Sequence, residues 1–473
     1  MPAPIQRLAV CGAGAMGSGI AQLAAQAGAC VRIFDVNPAA LEASRNRIQG
    51  DIDKLVAKSR LGADEAAAIV SRLEWVSSLD GLADREMVIE AIIEDAGAKA
   101  DLFAQIEGVV GRAAIIATNT SSLPVSALAR GLRDPSRFIG MHFFNPAPLM
   151  RLVEVIPGAA TSDGTCAITV ATAQAWGKVA IKVADVPGFI VNRVARPYYA
   201  EAFTALAEGA ADAGAIDELF RCAGFRMGPL ELTDLIGQDV NFAVARSIFD
   251  AYFGRTRFVP QLRQAALVHA GWLGHKSGRG VYDYSDKPQT TRPAGGAQAV
   301  SDTINGDLTD TLSDLAAGAF VHVDGVAVGV TRGRTAAAES RERAGPVALL
   351  DWFDPAGQGA VAFAVSHAEA ATVARSVLAG LSRTAIQVAD RPGLIVARTL
   401  AQIVNAAADA ALEQVAEEAG IDAALRYGAN YPFGAFDWAD QFGRSELVAL
   451  LDAVAQESGE SLYRPSHYLR RAA

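Results

Sequence analysis

A short β-branched run, Leu8–Cys11, leads directly into Gly12-Ala-Gly-Ala-Met-Gly17 and a helical pattern through Ala27, and a second strand-like run, Cys30–Phe34, ends at Asp35. Three glycines at this spacing between a strand and a helix each meet a different demand. Gly12 permits a tight turn, Gly14 lets a diphosphate approach the backbone, and Gly17 lets the helix pack close on the strand. Ala15 and Met16 then open the helix, whose amino terminus offers N–H donors to phosphate. Asp35, 23 positions after Gly12, accepts hydrogen bonds from an adenosine ribose and repels a 2′-phosphate. The pattern predicts a dinucleotide-binding unit that takes NAD rather than NADP.

The alternation continues beyond this unit. Met87–Ile89, Ile115–Thr118 and Phe138–His142 read as strands separated by helical stretches, which predicts a parallel sheet with crossover helices. From Pro187 the texture changes to Ala- and Leu-rich helical periods, as in Phe203–Ala210 and Asn241–Tyr252. Laying the carboxy-terminal part over the middle of the chain exposes a repeat: Lys178–Arg193 matches Arg383–Arg398 at a constant offset of 205, and Gly224–Asp234 is echoed by Ala429–Asp440 with one inserted residue. The fold class expected is therefore α/β: a Rossmann-type domain followed by a duplicated all-α carboxy-terminal domain. The expected boundaries are 1–185 for the NAD-binding domain, 186–285 for the first helical domain and 381–473 for the second. Between them, 286–380 reads as a linker or degenerate α/β segment, with a turn at Lys287-Pro288 and weak strand signals at Ala319–Val323 and Val347–Trp352.

Composition excludes several classes of function. The chain has 473 residues, 51% hydrophobic and 20% charged, which fits about three globular domains, and no apolar run reaches the roughly 20 residues of a membrane span. A net charge of −10 argues against nucleic-acid binding, which needs a basic surface. The four cysteines, Cys11, Cys30, Cys166 and Cys222, lie far apart with no Cys-x-x-Cys pair, so neither a metal site nor a disulfide framework is expected. The amino terminus carries no apolar signal core and no Arg/Ser-rich transit pattern, which predicts a cytoplasmic location.

Polar residues concentrate in two loops after later strands, where ligands bind in an open parallel sheet. One is Asn119-Thr-Ser-Ser122 and the other His142-Phe-Phe-Asn-Pro146, after which the chain re-enters a strand at Leu152–Ile156. A hydride leaving an alcohol carbon requires a base for the hydroxyl proton, and histidine as a residue type titrates near pH 6.5, roughly where such a base works. His142 is the best placed of the six histidines. Glu154, twelve positions later across a proline-containing turn, is placed to fold back onto its other ring nitrogen. On spacing alone His142 also fits a core histidine and Glu154 an outward-facing strand carboxylate. Ser121 equally fits a helix cap, and Asn192 a polar residue at a helix start.

These motifs, taken in order, resemble the NAD-dependent 3-hydroxyacyl-CoA dehydrogenases over about residues 7–285. The resemblance is carried by Gly12–Gly17, Asn119–Leu123, Gly140–Pro146, Leu152–Ile156, Pro187–Arg193 and Gly274–Tyr282. It implies an acyl-CoA substrate, His142 as general base, Glu154 as its partner, and Ser121 and Asn192 as hydrogen-bond donors around substrate and nicotinamide. It further implies cofactor contacts by Glu94, Lys99 and Asn145, with Lys276 near the cofactor. Coenzyme A would lie near the basic stretch Arg45, Arg47, Lys54 and Lys58, with Lys54 and Lys58 as phosphate contacts; a solvated helix face reads the same way.

The two-copy arrangement, with Ala195–Glu201 and Leu230–Asn241, is similar more narrowly to the bacterial members of the family that oxidise 3-hydroxyadipyl-CoA in phenylacetate breakdown. The 3-hydroxybutyryl-CoA dehydrogenases of fatty-acid or butanoate metabolism stand as the alternative, and beyond them a catalytically silent NAD-binding protein. A free-hydroxy-acid dehydrogenase is disfavoured because its glycine-rich lysine motif is not apparent. Ala397 occupies the repeat position of Asn192 and no second glycine turn precedes it, so one active site per chain is expected. Single-copy relatives pair their helical domains across a dimer, which leaves two quaternary readings: a homo-oligomer, or pairing of the two helical domains within one chain.

Overall fold

The computed structural model describes residues 2–285, 315 and 318–473; the expected turn at Lys287-Pro288 lies outside them. The chain divides into two compact units, 1–191 with 414–429, and 192–413 with 430–473. No helix among the described residues is long and apolar enough to cross a membrane, and the four cysteines are free.

The first unit is built on an eight-stranded sheet. Its strands are β1 (Arg7–Cys11), β2 (Cys30–Phe34), β3 (Leu73–Val76), β4 (Met87–Glu90), β5 (Ile115–Thr118), β6 (Phe138–Phe143), β7 (Leu152–Pro157) and β8 (Val179–Lys182). The order is β3-β2-β1-β4-β5-β6-β7-β8. Every pairing is parallel except β6 with β7. From β1 the chain winds outward through β2 and β3, then returns to add β4 on the other side of β1, so a crevice opens at the carboxy ends of β1 and β4. The central strands are buried along their whole length because helices cover both faces. Each fully buried Leu, Ile or Val contributes about 1.5–3 kcal/mol, and Leu8, Val10, Ile33, Ile89 and Ile139 belong to this core.

The second unit holds both helical domains and a five-stranded sheet ordered β13-β12-β11-β10-β9. Its strands are β9 (Val321–Val323), β10 (Val326–Val330), β11 (Val347–Leu350), β12 (Gly359–Val365) and β13 (Arg383–Gln387). Asp324 and Gly325 both take positive φ, which closes the β9–β10 hairpin with a turn suited to strand twist. β13 lies wholly beyond residue 381, inside the stretch expected to be the second helical domain. β10 and β12 alternate large with small apolar residues rather than apolar with polar ones, so no change of pattern marks that boundary in the sequence. β10 parallel to β11, β11 antiparallel to β12 and β12 parallel to β13 reproduce the directions of β5 through β8. The repeat thus covers four strands as well as the helices.

Helical elements recur in the same order at offsets of 205 or 206, from Ala213–Cys222 and Glu418–Gly428 to Leu262–His269 and His467–Ala472. In the second unit, Arg196–Ala207 packs on Val396–Leu412. Arg193 pairs with Glu413 and Arg398 with Glu208, both partners displaced by 205. Such reciprocity marks a local two-fold relation, the arrangement of an isologous dimer. Each copy also lends a helix to the other's sheet. Glu418–Gly428 covers β7 and β8 in the first unit, and Ala213–Cys222 covers β12 in the second.

Candidate active site

At the β1 carboxy end, Gly12 takes φ +108, and a Cβ there would meet the Ala91 carbonyl oxygen at 2.5 Å. A Cβ on Gly17 would lie 1.8 Å from the Gly12 carbonyl oxygen, whereas nothing comes within 4 Å of one on Gly14. That open side lies at the start of the helix Ala15–Gln26, which has no side-chain cap and no acid in its first turn, so its N–H groups and positive dipole end are left for an anion. Asp35 is held by two backbone donors, Ala13 N–H at 2.8 Å and Asn37 N–H at 2.9 Å. Each carboxylate oxygen keeps a further lone pair for a ribose hydroxyl. The residues present fit NAD.

Next to this turn lies a charged cluster. Glu90, fully buried at the end of β4, accepts from Lys99 Nζ at 2.6 Å, Thr118 Oγ1 at 2.7 Å and Ile92 N–H at 2.7 Å. Lys99 also reaches Glu94 at 3.1 Å. Glu94 in turn gathers the loop after β5, accepting from Thr120 Oγ1 at 2.7 Å and from the Ser121 and Ser122 N–H groups at 2.8 and 3.0 Å. Burial alone would raise the Glu94 carboxyl, but the Thr120 hydroxyl, the Lys99 ammonium and the Ser121 N–H together bring it down to about 2. Ser121 is therefore placed by its own backbone, and its hydroxyl lies 3.4 Å from Glu94.

His142 and Glu154 are directly opposite each other in the antiparallel β6–β7 ladder, so both side chains stand on one face of the sheet. His142 Nδ1 lies 2.7 Å from Glu154 Oε2. Glu154 Oε1 accepts the Ile190 and Val191 N–H groups at 3.0 and 3.1 Å. With the carboxylate as acceptor, Nδ1 carries the ring proton and Nε2 keeps a lone pair. The rings of Phe144 and Phe189 lie 4.6 and 5.7 Å from the imidazole, which shields the pair from water.

The structure thus brings together His142 with Glu154, Glu94 and Lys99 with Ser121, and Asp35 with the glycine turn. Asn145 is exposed in the loop after β6. Asn192 is the first residue of the second unit, where Lys276 is held by Asp239 at 2.5 Å. Lys54 stands on the exposed face of the helix Pro38–Ala57, paired to Asp51 at 2.8 Å, and Lys58, also exposed, caps its carboxy end.

Two residues left out of the site expected from the sequence, Glu90 and Lys178, take part in it. Glu90 was signalled only as a carboxylate ending an apolar strand. Lys178 donates to the carbonyls of Ala147 and Met150 at 2.6 and 2.7 Å, fastening the loop behind His142, and burial pushes its ammonium down to about 8. The repeat held the clue: Arg383, 205 positions on, donates to the carbonyls of Asp354 and Pro355.

The second sheet shows what became of the duplicate site. Asp351 follows β11 where His142 closes β6, and its N–H bonds to the carbonyl of Ala362. Ala362 pairs with Ile386 as Glu154 pairs with Ile181. Histidine, glutamate and asparagine have become Asp351, Ala362 and Ala397. The Asp351 carboxylate spans the vacated space itself, accepting from the N–H groups of Ile395, Val396 and Ala397.

A doubly wound sheet with an anion-ready glycine turn, an acid after β2 and a carboxylate-held histidine beside them defines an NAD-dependent dehydrogenase. Comparison with known proteins narrows the class. The model described as "3-hydroxyacyl-CoA dehydrogenase, NAD binding domain" matches residues 7–186. Its C-terminal domain model matches 188–284 and 393–473, and a "3-hydroxybutyryl-CoA dehydrogenase reduced Rossmann-fold domain" matches 328–392. The chain belongs to the 3-hydroxyacyl-CoA dehydrogenase family. It is 41% identical to 3-hydroxyadipyl-CoA dehydrogenase from Escherichia coli (strain K12), over 99% of this chain and 98% of that protein. It is 42% identical to a probable 3-hydroxybutyryl-CoA dehydrogenase from Bacillus subtilis (strain 168), over 60% of this chain and 99% of that one. The crystal structure of 3-hydroxybutyryl-CoA dehydrogenase from Escherichia coli K12 superimposes with a TM-score of 0.93 at 40% identity, covering 100% of this chain and 98% of that one. The chain is an NAD-dependent oxidoreductase with 3-hydroxyacyl-CoA dehydrogenase activity.

Proposed function

We propose that His142, oriented by Glu154, takes the hydroxyl proton as a 3-hydroxyacyl-CoA is oxidised to the 3-oxoacyl-CoA, and returns it in the reverse direction. The 2.7 Å contact between His142 Nδ1 and Glu154 Oε2 carries this reading: it leaves Nε2 as the base and sets a negative charge against the imidazolium that forms. The glycine turn and Asp35 would hold NAD, which would supply the acceptor for the hydride leaving C3. Ser121 and Asn192 donate hydrogen bonds around the substrate oxygen and the nicotinamide. Glu94, Lys99 and Asn145 serve the cofactor, with Lys276 near it, and Lys54 and Lys58 meet the coenzyme A phosphates.

The physiological substrate we infer is 3-hydroxyadipyl-CoA, supported by identity to the E. coli 3-hydroxyadipyl-CoA dehydrogenase along almost the whole of both chains. Relatives named for 3-hydroxybutyryl-CoA favour a second reading with a four-carbon substrate. Purified protein consuming NADH with 3-oxoadipyl-CoA, 3-oxohexanoyl-CoA and acetoacetyl-CoA separates the two. The adipyl reading requires the highest kcat/KM on 3-oxoadipyl-CoA, and a preference for acetoacetyl-CoA overturns it. His142→Ala should lose nearly all turnover while still binding NADH; retained turnover removes His142 from the mechanism.

We further propose that the paired helical domains stand in for the subunit partner of a single-copy enzyme, supported by the reciprocal Arg193–Glu413 and Arg398–Glu208 pairs.

A further inference from the structure

Arg196 opens the helix Arg196–Ala207 and lines a cleft with Tyr199, Phe203, Asn241 and Gln264. Its Nε is buried without a hydrogen-bond partner, and among the described residues its electrostatic neighbours are two tyrosines, Tyr199 and Tyr431. The Tyr199 ring lies 4.9 Å from the guanidinium. Among the described residues no aspartate or glutamate lines the cleft, and its other cation, Arg257, is already paired with Asp409. Other buried arginines of this unit meet acids: Arg193 meets Glu413, Arg257 meets Asp409, and both Arg391 and Arg398 meet Glu201 and Glu208. A partly buried guanidinium with no counter-charge is costly unless an anion arrives.

The internal repeat shows that the scaffold does not require this arginine. The position 205 residues on is Ala401, fully buried in the packed helix Val396–Leu412. Asn192, four residues before Arg196, is matched by Ala397. The copy without an active site has therefore replaced both residues by alanine. Asn192 lies on the short helix Val191–Val194 and Arg196 opens the next one after Ala195, itself in the right-handed helical region, so the two stand about one turn apart, a rise of about 5.4 Å. In a six-carbon dicarboxylyl chain the distal carboxylate lies three bonds beyond C3, a separation of the same order.

We propose that Arg196 receives the distal carboxylate of a dicarboxylyl-CoA substrate and so sets the preference for such chains over neutral ones. The proposal rests on Asn192 meeting the C3 oxygen, as read above. The cleft takes the carboxylate out of water against a flat, permanently charged fork, with Asn241 and Tyr199 as neighbouring polar groups.

The test compares 3-oxoadipyl-CoA with its distal methyl ester, which keeps the chain, removes the charge and adds one methyl group, using acetoacetyl-CoA as a chain-length baseline. The wild-type enzyme should favour the free acid by about 100-fold or more in kcat/KM. Arg196→Met should bring the acid-to-ester ratio close to one, and Arg196→Lys should restore part of it. A wild-type enzyme that treats acid and ester alike overturns the proposal without any variant. An Arg196→Met protein that keeps the wild-type ratio, however slow, also overturns it. Reduction of acetoacetyl-CoA with no acid preference removes only the Arg196 assignment. Reduction of none of the three substrates removes the dehydrogenase reading itself.

Discussion

His142 Nδ1 and Glu154 Oε2 lie 2.7 Å apart because the two residues face each other across the antiparallel β6–β7 ladder. Both Glu154 oxygens are engaged, one by the imidazole and the other by the Ile190 and Val191 N–H groups. Glu154→Gln keeps the shape but removes the charge that balances an imidazolium, and it turns an amide donor toward existing donors. We expect kcat to fall by about 100-fold or more, with NADH affinity nearly unchanged by fluorescence titration. A kcat near the wild-type value would show that the pair is structural.

Lys99 and Glu90 form an ion pair with both side chains almost fully buried. Removing Glu90 leaves the buried Lys99 with Glu94 alone, at 3.1 Å, and strips the Thr118 hydroxyl and the Ile92 N–H of their acceptor, and each buried group left unsatisfied costs about 1–3 kcal/mol. Glu90→Leu should therefore lower the urea midpoint markedly. The double variant Glu90→Leu/Lys99→Met should recover part of the loss. Equal stability of the single variant and the wild type would count against this reading of the cluster.

The Glu94 carboxyl sits at about 2 in the fold against an ordinary 4.5. A depressed acid stabilises the fold fully above its unfolded pKa, and that contribution drains away as pH falls toward the folded value. The stability difference between wild type and Glu94→Gln should be constant above about pH 5 and shrink steadily between about pH 4.5 and about pH 2. Urea titrations across that range check it. A difference that does not change with acidification would mean that the loop after β5 does not depend on this charge.

Deleting residues 393–473 would strip Glu418–Gly428 from β7 and β8 and Val396–Leu412 from Arg196–Ala207. Both faces are apolar, so the truncated protein should aggregate or dimerise in light scattering. A well-behaved monomer would remove the idea that the second copy replaces a subunit partner.

Asp351, Ala362 and Ala397 leave the second sheet without a histidine base, its carboxylate or the substrate asparagine. Calorimetric titration should return one NADH per chain. Two equivalent sites would contradict the loss of function in the copy.

Some of this protein was legible because the chemistry is local. Glycine at 12 and 17 meets backbone demands that any Cβ would violate, and the acid after β2 follows from a fixed number of residues in one unit, so the dinucleotide site could be read from 35 residues. The helical repeat was equally plain, since identical residues recur at one offset. His142 and Glu154 could be nominated and paired on spacing, but only the fold decides the contact: twelve residues do not specify the register of a hairpin, and a slip of one residue would send Glu154 to the opposite face. The same limit hid β10, β12 and β13: β10 and β12 alternate Val or Phe with Gly and Ala, apolar on both faces, β13 is a short run with polar ends, and each becomes a strand only through pairing with its neighbours. It also hid what Glu90 and Lys178 do, because the turns and strand pairings between them and their partners decide that Glu90 meets Lys99 and Thr118 and that Lys178 meets the carbonyls of Ala147 and Met150. The sequence by itself determined the backbone turns, the cofactor class and the duplication. Tertiary structure alone decided which charges meet, because pairing energies arise only after distant strands are in register and water has been excluded between them.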